Sequence, residues 1–189
     1  MREKSTDNTN AKLLAGWIVA SKDTQFLPAE NAKAEINILN KLELTDRSIL
    51  GCLIKDLGYI ICANRHIRIL GGKNPHYKSV FDVNALYTGT GLLKGVLIIA
   101  DTSNGGLFAL NCDKSNGATL GEVLYLPYGS LLWERLDIGY SDFIKWAIRV
   151  SKEELITGGW LDTSSQNPPD TMRDQITQSK LDILLSMHD

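Results

Sequence analysis

Apolar positions along this chain repeat first at helical and then at strand spacing. Leu13, Leu14, Trp17 and Ile18 fall on one helical stripe and predict a first amphipathic helix. Pro28 suits the first turn of a second, in which Ala32, Ile36 and Leu39 recur at three- and four-residue intervals through "PAENAKAEINILNKL". From Ser48 the pattern changes to short runs of Ile, Leu, Val and Tyr punctuated by glycine. "ILGCLIKD", "GYIICAN" and "IRIL" read as strands, with a hairpin at "KDLG". The looser "KNPHYKSVFDVNALYTGTG" wraps the surface before "GVLIIAD", which is apolar enough for a central strand. "GLFALN" and "EVLYLP" follow, joined by the polar turn "CDKSNGATLG". In "YSDFIKWAIRV" Ser141 can cap a helix whose Phe143, Trp146, Ala147 and Val150 form an apolar stripe, which places Trp146 in the core. Ser151 and Glu154 make a capping box for a short helix that stops at Gly158 or Gly159. After Trp160, "LDTSSQNPPD" reads as a linker. Met172, Ile176, Ile183, Leu184 and Met187 then mark a last amphipathic helix.

Helices, then several strands, then a helix is the order of an α+β domain with a mostly antiparallel sheet, N-terminal helices and a helix after the last strand. The expected division is a leader over residues 1–10, a single α+β domain over 11–162, and a linker with the C-terminal amphipathic helix over 163–189. Twenty basic against 22 acidic residues leave a formal charge of −2, so no positive field is available for nucleic acid or anionic lipid. The apolar run in "AKLLAGWIVA" is too short for a signal peptide or a membrane span, which makes a cytoplasmic location the default expectation. Cys52, Cys62 and Cys112 are odd in number and widely spaced, and read as reduced, buried thiols.

The stretch "ADTSNGGLFALNC" invites a chemical reading, and most such readings fail on spacing. A calcium loop opening at Asp101 would end on Cys112 where a bidentate glutamate is required. "GGK" at Gly71 has Ile67 in place of the upstream P-loop glycine, and "GTGLLKG" precedes a strand instead of following one. Ser130 is not in a nucleophile elbow. Strand alternation puts His66 and Arg68 on the solvent side, opposite Ile67 and Ile69. Glu134, Asp137 and Asp142 read as a solvated helix edge. No catalytic residue, metal ligand or cofactor is therefore assigned. Tyr128 and Trp133 stand out as surface anchors within an aromatic-rich segment.

Three phrases taken together, "RSILGCLIKDLGYIICANRHIRILGG", "VLIIADTSNGGLFALN" and "VLYLPYGSLLWERLDIGYSDFIKWAI", resemble a bacterial family of unknown function, DUF2625, allied to the SUKH superfamily. The most specific pieces are Arg68-Ile-Leu-Gly, Gly105-Gly106-x-Phe108-Ala-x-Asn111, and Trp133-Glu134 followed by Gly139-Tyr140-x-Asp142-Phe143. The resemblance covers about residues 15–150 and implies an α+β domain. It further implies a relationship to immunity proteins and regulators that act by protein contact, with no catalytic residue to carry over. The chain departs from the family pattern at Thr102, which follows Asp101 where a second acid is usual, and after Trp146. The expected function is a non-enzymatic, immunity-like protein-binding module with Asp101, Asn111, Tyr128, Trp133 and Glu134 as binding residues. The alternative is a small-molecule binder or hydrolase with a pocket near Asp101 and Trp133-Glu134. No nucleic acid or membrane partner is expected, and self-association through the C-terminal helix is a third expectation.

Overall fold

A computed structural model describes residues 9–161, apart from 22, 30–38, 41–43, 46, 47 and 92. Its centre is a seven-stranded antiparallel meander in which every strand pairs with its sequence neighbours. The strands are β1 (Gln25–Leu27), β2 (Tyr59–Cys62), β3 (Ile67–Ile69), β4 (Val96–Thr102), β5 (Leu107–Asn111), β6 (Glu122–Leu126) and β7 (Glu134–Gly139). The helices are α1 (Thr9–Val19), α2 (Ile49–Cys52, running on into a π-helical turn over Leu53–Leu57), α3 (Val80–Leu86), α4 (Tyr140–Arg149) and α5 (Lys152–Thr157). This is the α+β architecture expected of the sequence. The second helix expected from Pro28 onward lies mostly outside the described residues, and the C-terminal helix entirely so.

The "ILGCLIKD" run is not a strand: Ser48 caps it, accepting the Gly51 N–H at 2.9 Å, and it forms α2 and the π turn. Each further hairpin follows from local turn chemistry. The β4–β5 turn uses Gly105 at φ 88°, while Gly106 has no room for a side chain, since a Cβ there would sit 2.6 Å from the Tyr125 hydroxyl. In the β2–β3 turn three consecutive non-glycine residues, Ala63, Asn64 and Arg65, hold φ of 50°, 54° and 71°. That turn is tied to its neighbour by the Ser103 N–H donating to the His66 carbonyl at 2.8 Å and by a His66 Nδ1–Ser103 Oγ hydrogen bond of 2.8 Å.

Register separates the two faces of the sheet. Ile60 pairs with Ile69, Ile69 with Ala100, Ala100 with Phe108 and Phe108 with Tyr125, so these share the face that packs on the helices. Phe108 there meets Phe143 of α4 at 4.8 Å between ring centroids. On the other face Ile61 pairs with Arg68, Arg68 with Asp101 and Asp101 with Leu107. The segment between β3 and β4 covers that face. The Tyr77 ring lies 5.2 Å from Tyr59 and 5.6 Å from the Arg68 guanidinium carbon, and Asn84 of α3 bonds to both backbone groups of Ile98. Arg68 is consequently buried, against the expectation from alternation, because β2 and β3 have cover on both sides; His66, in the turn before β3, is buried where it bonds Ser103.

Other expectations change in the same way. Glu134 and Asp137 belong to strand β7 and only Asp142 to a helix. Cys52 and Cys62 are buried thiols, whereas Cys112 is exposed. Trp146 packs on the core but is only half-buried. Among the described residues no helix is long and apolar enough to cross a membrane.

Candidate functional surface

The five residues singled out from the sequence occupy three different environments. Asp101 is interior: its carboxylate accepts from Arg68 Nε at 3.1 Å and Nη2 at 2.5 Å, with both side chains almost wholly buried. Asn111 is interior too. Its amide donates to the carbonyls of Ala118 and Thr119 at 2.8 and 3.2 Å, shaping the β5–β6 connection. Tyr128, Trp133 and Glu134 lie together at one end of the sheet, in the β6–β7 loop and the first residue of β7.

That loop is built from its own turn chemistry. Gly129 takes φ 80°, the Ser130 N–H donates to the Pro127 carbonyl at 3.1 Å, and Ser130 Oγ both accepts the Leu132 N–H and donates to the Leu132 carbonyl. Bonding so local turns the intervening side chains outward. Tyr128 is 62% exposed, Leu131 44% and Leu132 76%. Leu131 and Leu132 lay within the quoted aromatic segment but carried no signal, because an apolar pair after "YGS" looks like any strand start. Trp133 turns the other way and packs on Val96, Ala109, Ala118 and Leu124. Beside it a cavity of about 300 Å³ is lined by Val96, Leu124, Leu131 and Trp133, with Lys94 and Arg135 at its polar side.

Ion pairs beside the loop tie down the strand edge. Arg135 Nε donates to Glu122 at 2.9 Å and its Nη2 reaches Asp137 at 2.9 Å. Hydrogen bonding from Arg135, and then from the Thr119 N–H, holds the Glu122 carboxyl below the usual carboxylate range. The Gly105 N–H is bonded to the Thr102 carbonyl and the Gly106 N–H to Thr102 Oγ1, so neither serves as an oxyanion donor beside Ser103. Asp101 and Glu134 do not converge. The register puts Asp101 on the covered face with Leu107, and Glu134 opposite Tyr125 on the helix-packed face. Among the described residues no group of three or more His, Cys, Asp or Glu side chains could hold a metal ion.

Fold and surface together define an antiparallel-meander α+β domain with an apolar loop projecting from one sheet end. The chain belongs to the DUF2625 family of proteins of unknown function, whose model matches residues 4–164. It is 32% identical over 151 residues to the putative uncharacterized protein YbfG of Escherichia coli (strain K12), a match spanning 76% of this chain and 66% of that protein. An uncharacterized protein of Haemophilus influenzae is 26% identical over 161 residues, spanning 81% of this chain and 70% of its own. The chain thus spans about two thirds of the length of these curated relatives. No solved structure matches.

Proposed function

We propose that this protein is a non-enzymatic binding module that engages a protein partner through the β6–β7 loop, in the manner of the immunity proteins that a SUKH relationship would imply. The observation that carries the reading is the run of exposed apolar side chains at Tyr128, Leu131 and Leu132 beside the Trp133-lined cavity. An exposed apolar cluster rimmed by polar groups is the usual mark of an interaction surface. Aromatic anchors beside small pockets carry most interface energy. Support for the hydrolase alternative is weaker, since Asp101 is committed to Arg68 and Glu134 lies on the opposite face.

The test is a pull-down with the tagged full chain from lysate of its native cells, with Leu132→Asp and Tyr128→Ala beside it and circular dichroism verifying their folds. A protein retained by the wild type should lose at least about tenfold in recovery with Leu132→Asp, the scale of a single interface hot spot. Equal recovery with both variants would remove the loop from the interaction.

A further inference from the structure

Three of the four tryptophans, Trp17, Trp146 and Trp160, are half-buried around α4, away from the β6–β7 loop. Between α4 and α5 lies a cleft of about 270 Å³ lined by Lys145, Trp146, Arg149, Val150, Glu154 and Trp160. Its two indoles stand 5.3 Å apart between centroids with their planes inclined at 51°, forming an open V.

The V is held rigidly from behind. Phe108 lies 5.9 Å from Trp146 and 5.7 Å from Trp160, and Tyr125 lies 4.6 Å from Trp160. The Trp160 carbonyl accepts from Asn104 Nδ2 at 3.3 Å and from the Tyr125 hydroxyl at 3.4 Å. Its ring also lies over Gly158, where a Cβ would come within 2.7 Å of the indole.

The charges at the cleft are disposed for an anion. Arg149 is exposed at the C-terminal end of α4, and its side chain makes no ion pair with any described residue. Lys145, one turn earlier, is engaged at the surface by Asp142 at 3.0 Å, an exposed contact that competes weakly. The one acid of the lining, Glu154, is held at the start of α5, where its carboxylate accepts the Ser151 N–H at 2.8 Å.

We infer that this cleft binds a small planar aromatic carboxylate, its ring seated against Trp146 and Trp160 and its carboxylate on the fork of Arg149. The guanidinium offers two parallel donors that match a carboxylate, and pre-set indoles supply stacking area without an ordering cost. A cleft of this volume suits one or two fused rings. This inference is independent of the β6–β7 loop reading.

Isothermal titration calorimetry of the full chain with 1-naphthoate, and with neutral 1-naphthylmethanol, tests it. Saturable binding of 1-naphthoate is expected. The neutral analogue and the Arg149→Gln variant should each bind about tenfold more weakly, the scale of one charge-assisted hydrogen-bonded pair. Arg149 is at the surface, so the variant should melt as the wild type does. Absence of saturable heat, equal affinity for the neutral analogue, or unchanged affinity in Arg149→Gln would each overturn the inference.

Discussion

Arg68 and Asp101 show how far a single residue's environment can depart from its local pattern. Each is charged, each lies on a strand, and each is buried: 3% and 4% exposed. Burying two charges is tolerable because the pair is forked and the Tyr77 ring lies over the guanidinium. Removing one member takes this forked contact from a charge that stays buried. Asp101→Ala is therefore expected to lower the unfolding free energy by about 3–5 kcal/mol in urea titration, whereas Arg68→Met with Asp101→Leu should cost much less. That difference between single and double variants is the signature of a buried pair, and a merely spatial role for Asp101 would not produce it. In the sequence the pair was invisible. Strand spacing assigns Arg68 a face, and only the residues that come to rest on that face decide whether it meets water.

At the scale of elements, the segment between β3 and β4 supplies that cover, and α3 is fixed to the sheet by one side chain. Asn84 Nδ2 donates to the carbonyls of Val80 and Ile98, and Oδ1 accepts the Ile98 N–H, all at 2.8 Å. Ile98 adjoins the register shift in β4, where the ladder alone does not satisfy the backbone. Asn84→Ala should accordingly cost about 1–3 kcal/mol, read as a fall in the urea midpoint, because buried donors and acceptors lose their bonds. Much of the element order was legible beforehand: "GYIICAN", "IRIL", "GVLIIAD", "GLFALN" and "EVLYLP" are all strands, and the Ser151–Glu154 capping box is present as read. Besides α2, read as a strand, and the short β1, which carried no pattern, two more elements escaped for identifiable reasons. The capping box of α3, Ser79 with Asp82, was hidden in a stretch whose Pro and Gly content suggested only loop. Strand β7 carries Glu134, Arg135 and Asp137 and has a register shift near Asp137, itself at φ 54°, so charge and irregularity erased the two-residue alternation. The same devices suit an edge strand, which they protect from pairing with another chain. Of the candidate site, the aromatic anchors were legible as residue types. The division between buried Asp101 and Asn111 and the exposed loop depended on long-range packing.

For the molecule as a whole, the buried protonated acids set an alkaline limit to stability. Burial pushes the Cys62 thiol from 9.0 up to about 12 against a smaller opposing hydrogen bond from Thr24, and pushes the Tyr125 hydroxyl from 10.0 to about 12. Tyr87 and Tyr140 are raised as well, with desolvation the largest cause in both. In the unfolded chain these groups release their protons near the ordinary thiol and phenol values, while the folded protein retains them. Their contribution to stability is fully present below pH 9 and is lost as pH rises through the interval up to about 12. Tyr140 isolates one proton of this effect, since its buried hydroxyl has no hydrogen-bond partner among the described residues and can be deleted without orphaning another described group. Tyr140→Phe should therefore match or exceed wild-type stability at pH 7. Above the ordinary phenol value its unfolding free energy should decline less steeply than the wild type's, by up to about 1.4 kcal/mol per pH unit for one proton. Urea titrations from pH 7 to about 11 measure both slopes, within the range where an unfolded phenol ionises. Parallel slopes would mean that the Tyr140 hydroxyl reaches water in the folded protein.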